Sequence, residues 1–313
     1  MNITIAEPIG LTTEKLDRFK NHLEEHGHAL SFFNTRPDSN TELLERIKAA
    51  DVVIISNLPL PGEVIRQCPA LKFINIAFTG TDHVDKTACK ELGITVCNAA
   101  GYSTNAVAEL AISSAISLLR KTVEMERNLR SGLDRKGFLG GELSGKTVGI
   151  VGLGAIGERV AALALAFGCK VLAYNRSKKN IPGVSQVSLS RLLVESDIVS
   201  LHVPLNSETT GMINSESFQM MKPSALLINT ARGNVVDIPA LAAALKAGTI
   251  TGAAIDVYEK EPPLEKAHPM MDAPNTILLP HIGFATNEAI DIRSEIIIEN
   301  TVGWLNGKPM NVV

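Results

Sequence analysis

The chain has 313 residues, 45% of them apolar, and a formal net charge of −3 at pH 7. This length predicts two domains, and the apolar share is typical of globular proteins. The charge provides no basic surface for nucleic acid, and every apolar run is shorter than a bilayer requires, so we expect neither partner. The N-terminal residues lack a charged and apolar leader, and the four cysteines form no C-x-x-C pair. We therefore expect a cytoplasmic protein with reduced thiols.

Apolar runs rich in β-branched residues alternate with helical patterns through the first third of the chain. Strands are predicted over residues 3–6, 30–33, 52–56, 73–77 and 95–97. Helices are predicted over residues 13–26 and 41–50, the second with Asn40 or Thr41 as its N-cap, and one long helix over residues 104–130. This alternation predicts a parallel sheet with helices on both faces.

A second alternation follows the glycine-rich loop at residues 139–145. Its strands are predicted over residues 147–151, 171–174, 198–202, 226–229, 253–257 and 277–279, and a last helix over residues 287–306. Six strands are the number of a complete dinucleotide-binding sheet.

The first strand of this second alternation runs into a G-x-G-x-x-G turn formed by Gly152, Gly154 and Gly157. In such a motif the first glycine allows the tight turn, the second lets the backbone approach a pyrophosphate, and the third lets the next helix lie close to the strand. The start of that helix, at Ala155 and Ile156, then presents free N–H groups to phosphate. Because the motif opens a strand–helix–strand unit, it predicts a dinucleotide site.

The end of the next predicted strand indicates which dinucleotide binds. NAD sites carry an acidic residue here for the adenine ribose, but this chain has Asn175, Arg176 and Ser177. The missing carboxylate removes the repulsion of a 2′-phosphate, and Arg176 can pair with that phosphate. The sequence therefore favours NADP(H). The alternative is a solvated basic turn beside a site that accepts either NAD(H) or NADP(H).

Reduction of a 2-oxo acid requires a cation for the carboxylate and carbonyl, and a proton donor beside the carbonyl oxygen. Arginine suits the first role and histidine the second. Arg232, Glu261 and His281 follow three successive predicted strands, at the ends where open α/β sheets bind ligands. The sequence shows no zinc-type ligand cluster and no nucleophile elbow, so we expect hydride transfer without a metal.

These motifs, in this order, resemble those of the D-isomer-specific 2-hydroxyacid dehydrogenase family, which includes glyoxylate and hydroxypyruvate reductases. The resemblance covers essentially the whole chain and rests on the glycine turn and on the segments 79–85, 104–109, 229–233, 256–262 and 280–283. It implies that His281 is the acid/base and Glu261 its carboxylate partner. It also implies that Arg232 binds the substrate carboxylate and polarises the carbonyl.

The resemblance further assigns residues around the two ligands. Substrate contacts are implied for Asn57, Phe78 and the backbone N–H groups of Thr79 and Gly80. Besides the glycine turn and residues 175–177, cofactor contacts are implied for Thr104, His202, Pro204, Thr209, Thr230, Ala231, Asp256 and Gly283.

The family's fold implies a Rossmann-type dinucleotide-binding domain inserted in a smaller, flavodoxin-like α/β substrate domain. We place the discontinuous substrate domain at residues 1–99 and 284–313 and the dinucleotide-binding domain at residues 100–283. Members of the family are usually homodimers, and the long helix that begins at Thr104 is the candidate interface.

The leading hypothesis is reduction of glyoxylate or hydroxypyruvate, with a dehydrogenase of D-glycerate or phosphoglycerate as the alternative. A hypothesis from a different functional class is a dinucleotide-sensing, corepressor-like binding protein on the same fold. This hypothesis predicts tight dinucleotide binding and negligible turnover. A formate dehydrogenase is disfavoured, because there an amide replaces the acid that pairs with the histidine, whereas this chain has Glu261.

Overall fold

The computed structural model describes residues 1–313, which form two compact units. Unit 1 consists of Met1–Ser103 and Thr286–Val313, and unit 2 is Thr104–Ala285. The sequence analysis placed these boundaries after residues 99 and 283. No helix of the structure combines the length and the apolar character needed to cross a membrane.

The regular elements of the first 103 residues are β1 (Asn2–Ile5), α1 (Thr13–Glu25), β2 (Ala29–Phe32), α2 (Asn40–Ile47), β3 (Val52–Ile55), α3 (Gly62–Ile65), β4 (Phe73–Ile76), α4 (Lys86–Glu91) and β5 (Thr95–Asn98). Unit 2 contains α5 (Thr104–Arg120), α6 (Thr122–Arg130), β6 (Thr147–Val151), α7 (Ala155–Ala166), β7 (Lys170–Tyr174), β8 (Val184–Gln186), α8 (Leu189–Glu195), β9 (Ile198–Leu201), α9 (Ser215–Met220), β10 (Leu226–Asn229), α10 (Ile238–Lys246), β11 (Gly252–Ile255) and β12 (Thr276–Leu278). The last helix, α11 (Asn287–Leu305), belongs to unit 1.

Unit 1 is a five-stranded parallel sheet in the order β2-β1-β3-β4-β5, which is the flavodoxin strand order. All residues of β3 and β4 are buried, as expected for inner strands of a sheet covered on both faces. Phe19 of α1 and Ile297 of α11 lie in the core, and Trp304 of α11 stacks on Phe73 with ring centroids 4.9 Å apart. The predicted flavodoxin-like fold is confirmed.

Unit 2 is a seven-stranded parallel sheet in the order β12-β11-β10-β9-β6-β7-β8. Counted from β6, this is the 3-2-1-4-5-6 order of dinucleotide-binding folds with one strand added, so the predicted Rossmann-type fold is confirmed. The strand order reverses between β6 and β9. The prediction of six strands is wrong, because it missed β8, a three-residue edge strand with little apolar character. Pairing of Val184 with Val171 of β7 fixes that strand.

Two helix boundaries also correct the sequence analysis. The N-cap of α2 is Ser39 and not Asn40 or Thr41, because the Ser39 Oγ accepts a hydrogen bond from the Glu42 N–H at 3.2 Å. Ser39 and Glu42 have the spacing of a capping box, which the sequence analysis overlooked.

The long helix predicted over residues 104–130 is two helices, α5 and α6. Lys121 lies between them in the left-handed conformation (φ 46°, ψ 43°). The carbonyl oxygen of Leu119 accepts a hydrogen bond from the Gly141 N–H at 3.0 Å instead of continuing a helical ladder. A loop that returns from later in the chain therefore ends α5, and no local signal marks that position.

Candidate active site

The carboxyl edge of the unit 2 sheet brings five loops together. They follow β6, β9, β10, β11 and β12, which are parallel neighbours. Because parallel strands end at the same edge, the residues that follow them share one side of the sheet. The glycine turn, His202, Thr230, Asp256 and His281 all lie there.

The glycine turn has the shape that a dinucleotide pyrophosphate requires. Gly152 has a φ of 99°, and a Cβ there would come within 2.5 Å of the His202 carbonyl oxygen. A Cβ at Gly157 would overlap the carbonyl oxygen of Gly152, whereas the space around Gly154 is open. Gly154 is the N-cap of α7 and offers no side-chain oxygen to the first N–H groups of the helix. Those N–H groups, beginning at Ala155 and Ile156, can donate hydrogen bonds to phosphate oxygens, so the residues present fit a nicotinamide dinucleotide.

The turn after β7 is ordered by its own amides. The Asn175 Oδ1 accepts a hydrogen bond from the Leu153 N–H at 3.0 Å, and its Nδ2 donates to the Ser177 carbonyl oxygen at 2.9 Å. From β8, the Gln186 Nε2 donates to the carbonyl oxygens of Asn175 and Ser177, each at 3.0 Å. The Arg176 side chain, 86% exposed, projects from this rigid turn with only the exposed Glu208 carboxylate near it, at 3.6 Å.

The loop after β9 contains three predicted cofactor residues. Thr209 closes it, because its Oγ1 donates to the Pro204 carbonyl oxygen at 2.6 Å and accepts from the Asn206 N–H at 2.9 Å. The His202 Nε2 lies 2.8 Å from the Ser200 Oγ, and burial lowers the pKa of His202 to about 4. His202 is therefore neutral at physiological pH. Pro204 is exposed, whereas Thr209 is buried and holds the loop.

The loop after β10 presents Arg232. Asn229, fully buried, donates from Nδ2 to the Arg232 carbonyl oxygen at 2.9 Å and accepts from the Ala231 N–H at 3.1 Å. The Arg232 Nη1 donates to the Ala231 carbonyl oxygen at 2.7 Å. The Thr230 hydroxyl oxygen is buried and has no hydrogen-bond partner in the protein. Since buried hydroxyl groups nearly always find a partner, this oxygen indicates a place for a polar group of a bound ligand.

Asp256 holds the loop after β12. Its carboxylate is buried and accepts hydrogen bonds from the N–H groups of Ile282 and Gly283, both at 2.7 Å. Burial raises the pKa of Asp256 despite these two bonds. Both N–H groups belong to the two residues that follow His281 in the chain. The structure therefore supports a positioning role for Asp256, beside the cofactor contact that the sequence analysis predicted.

Glu261 and His281 form a hydrogen-bonded pair. The Nδ1–H of His281 donates to the two Glu261 carboxylate oxygens, each at 2.9 Å. The imidazole is 13% exposed and the carboxylate 50%. His281 has a φ of 58°, a conformation that costs a non-glycine residue about 1–3 kcal/mol and occurs mostly at functional sites. Phe284 packs edge-on against the ring with centroids 5.4 Å apart.

A second histidine–carboxylate pair lies in the same segment of unit 2. The His268 Nε2 is 3.2 Å from the Glu259 Oε2, and the His268 ring also contacts Tyr258 edge-on at 5.7 Å. His268 is the N-cap of a short 3₁₀ turn, Pro269–Asp272, through its Nδ1. These contacts give His268 a structural role in its loop.

In unit 1, the loop after β3 carries Asn57. The Arg36 guanidinium donates to the Asn57 Oδ1 at 3.0 Å and to its carbonyl oxygen at 3.2 Å. The buried carboxylate of Glu7, which follows β1, accepts from the N–H groups of Ser56 at 2.7 Å and Leu58 at 2.9 Å. The sequence analysis missed both Glu7 and Arg36, which hold this loop.

The loop after β4 carries Phe78, Thr79 and Gly80. Asn98 donates from Nδ2 to the Thr79 carbonyl oxygen at 2.8 Å, and the buried Arg293 of α11 donates to the carbonyl oxygen at position 77 at 3.3 Å. The N–H groups of Thr79 and Gly80 donate to no acceptor within the protein. Two adjacent N–H groups of this kind suit a carboxylate.

The NAD-binding domain of the D-isomer-specific 2-hydroxyacid dehydrogenases matches residues 112–283. The chain belongs to this family. Glycerate dehydrogenase of Methylorubrum extorquens is 40% identical over 281 residues, which cover 87% of this chain and 88% of that protein. Glyoxylate reductase of Thermococcus litoralis is 39% identical over 285 residues, which cover 87% and 86%. Among solved structures, an acyclic imino acid reductase in complex with NADPH and D-Arg superposes on the whole chain with a TM-score of 0.92 at 33% identity.

As a member of this family, the protein is an NAD(P)-dependent dehydrogenase. It transfers a hydride between a nicotinamide dinucleotide and the 2-carbon of a 2-hydroxy or 2-oxo acid. In this dehydrogenase, the buried positioning residues Asn229 and Glu7 were absent from the predicted site, as was Gln186. For Asn229 and Glu7 the only sequence signal is a polar residue within or directly after an apolar strand, and Gln186 lies in β8, which has little apolar character. Thr104 is the first residue of α5 and the first residue of unit 2.

Proposed function

We propose that the chain reduces a small 2-oxo acid, glyoxylate or hydroxypyruvate, at a site built on Arg232, Glu261 and His281. The observation that supports it most is the Glu261–His281 pair, which lies in a strained loop at the ligand-binding edge of a dinucleotide-binding sheet. Several relatives at 35–40% identity carry the names glyoxylate reductase or glycerate dehydrogenase. Glycerate and hydroxypyruvate are the two redox states of one substrate, so the name glycerate dehydrogenase fits the proposed reduction of hydroxypyruvate.

The proposed mechanism divides the chemistry between three side chains. When bound, the nicotinamide supplies the hydride for the 2-carbon. His281 donates the Nε2 proton to the carbonyl oxygen, because its Nδ1 is committed to Glu261. Glu261 orients the ring and stabilises the imidazolium before the proton leaves. Arg232 binds the carboxylate and stabilises the charge that develops on the oxygen, which contributes about 3–4 kcal/mol by analogy with oxyanion donors.

The predicted contacts in unit 1 complete this proposal. The N–H groups of Thr79 and Gly80 are proposed to bind the substrate carboxylate, and Asn57 and Phe78 to contact its side chain. Within the predicted boundaries, residues 1–99 and 284–313 then form the substrate domain. A cytoplasmic location stays a prediction from the sequence.

NADP(H) is the proposed cofactor. The Asn175 amide is used within the turn, so position 175 offers no carboxylate to the ribose hydroxyl groups. Arg176 projects from that turn, and a 2′-phosphate can replace its long contact with the exposed Glu208. One solved relative is in complex with NADPH and another with NAD, so the activity assay uses NADPH and NADH in parallel.

A panel of 2-oxo acids with NADPH and NADH tests this function. Glyoxylate and hydroxypyruvate should be reduced fastest, and 3-phosphohydroxypyruvate should be slower. His281→Ala should lose most of the rate while NADPH binding stays near normal. Tight NADPH binding without turnover of any 2-oxo acid would refute the proposed reductase activity and favour the dinucleotide-sensing alternative.

A homodimer is the proposed assembly, with α6 and the loop that follows it as the interface. The interface predicted from the sequence was the long helix over residues 104–130, whose first part, α5, buries much of its apolar surface within unit 2. In contrast, α6 has no buried residue, and Leu129 and Leu139 are 75% and 86% exposed. Leu129→Asp should convert the dimer to a monomer in light scattering, whereas Val194→Asp on α8 should not. A monomeric wild type would refute the assembly.

A further inference from the structure

The C-terminal turn of α1 carries a cluster of possible metal ligands that the dehydrogenase reaction does not use. His22, Glu25 and His26 each offer one ligand atom, and these three atoms lie within 4.8 Å of one another. Their spacing of three and four residues places them on one face of the helix. All three side chains are exposed, so they can shift toward a common ligand.

A hydrogen bond to the backbone fixes the tautomer of His26. Its Nδ1 lies 2.8 Å from the His22 carbonyl oxygen, and because a carbonyl oxygen only accepts, Nδ1 carries the hydrogen. The lone pair is then on Nε2. Histidine ligands of metals commonly donate their other ring N–H in this way, which fixes the tautomer. The His22 and His26 ring centroids are 4.6 Å apart and inclined by 44°, so the two rings are not packed flat against each other.

The ligand separation suits a small divalent ion. Two nitrogens on a tetrahedral zinc ion at about 2.0 Å lie roughly 3.3 Å apart. Closing the present separation to that value requires only small torsional changes of exposed side chains. Solvent then supplies the remaining ligand positions.

The surrounding charges favour a cation. The negative end of the α1 dipole is at this turn. Across the groove that His22 lines, α11 contributes Glu295 and the exposed Glu299. Glu295 is neutralised by Lys15 and Arg18, both at 2.9 Å, whereas Glu25 and Glu299 form no ion pair.

We propose that His22, Glu25 and His26 bind one divalent transition-metal ion of the Zn²⁺ type, separate from the dehydrogenase site. Two imidazole nitrogens and one carboxylate select Zn²⁺, Ni²⁺ or Cu²⁺ over Mg²⁺ and Ca²⁺, which prefer all-oxygen sites. The ion cross-links the last turn of α1. Because the unfolded chain does not hold these three ligands together, binding stabilises the folded state.

Calorimetric titration of the metal-free full chain with ZnCl₂ tests the site. His22→Ala and His26→Ala should each weaken binding of one equivalent by about 10-fold or more, and each should lose the Zn²⁺-dependent rise in melting temperature. His28→Ala is the matched control, since His28 is half-buried near the same turn and pairs with the N-terminal amine. It should bind Zn²⁺ like the wild type.

The two variants show whether Zn²⁺ binds at His22 and His26 or at the two histidine–glutamate pairs of unit 2. If the wild type binds no Zn²⁺, or if His22→Ala and His26→Ala keep wild-type affinity, the proposal is wrong. It is equally wrong if Mg²⁺ raises the melting temperature as much as Zn²⁺ does. NADPH-dependent turnover in EDTA, unchanged in both variants, shows that they are folded.

Discussion

Replacing Glu261 by glutamine tests the electrostatic role of the Glu261–His281 pair. Glutamine has nearly the same shape, and its Oε1 can still accept the hydrogen bond from the His281 Nδ1, now at 2.9 Å. What the replacement removes is the negative charge beside a ring that must be cationic to act as the acid. NADPH binding should therefore change little, and kcat should fall.

The size of the effect follows from the geometry. Opposite charges centred about 4 Å apart attract by about 4 kcal/mol at an effective dielectric constant of about 20, and by about 1 kcal/mol in water. Because the carboxylate is 50% exposed, the loss lies between these limits. With about 1.4 kcal/mol for each factor of ten in rate, kcat should fall by about 5-fold to 1000-fold.

The assay is steady-state NADPH oxidation with the best 2-oxo acid, together with fluorescence titration of NADPH. Glu259→Gln is the matched control, because Glu259 lies two residues away and pairs with His268. Equal kcat values for Glu261→Gln and the wild type would refute the assigned role, as would an equal loss in Glu259→Gln.

Three further predictions concern other residues of unit 2. Asp256→Asn leaves one of the two backbone N–H groups without its carboxylate oxygen. The free energy of unfolding in urea should therefore fall by about 1–3 kcal/mol, and kcat should also fall. An unchanged urea midpoint would contradict this. Burial lowers the folded-state pKa of His202 to about 4, below the ordinary histidine value of 6.5. The unfolded chain therefore binds more protons between these pH values, and stability is lost as the pH falls from 6.5 to 4. The loss should be about 3 kcal/mol larger in the wild type than in His202→Gln, and parallel urea curves would argue against it. Arg176→Ala should raise the KM for NADPH by about 10-fold to 100-fold and leave the KM for NADH nearly unchanged, whereas equal changes for both cofactors would exclude a contact with the 2′-phosphate.

The sequence was sufficient to predict the inner strands of both sheets and the glycine turn. Inner parallel strands are buried on both faces, so a local pattern reveals β3, β4, β9 and β10 as largely apolar runs. Only β3 is apolar throughout, and each of the other three contains one polar residue. The glycine turn is also local, because its backbone conformation and close approaches require glycine at fixed spacing. Residues that directly follow such strands must lie at one edge of the sheet, which is why Arg232 and His281 could be placed from the sequence.

Features that depend on distant segments required the tertiary structure. The edge strand β8 exists through its pairing with β7, and α5 ends where the Gly141 N–H takes the Leu119 carbonyl oxygen. The positioning bonds from Asp256 to residues 282 and 283 span 26 and 27 residues. The cluster at His22 is different, since its spacing is local and visible. Only the structure shows the side-chain separations and the orientation of the His26 ring. Local periodicity therefore determined which elements form and which loops carry the chemistry, whereas hydrogen bonds between distant segments decided how each side chain is held.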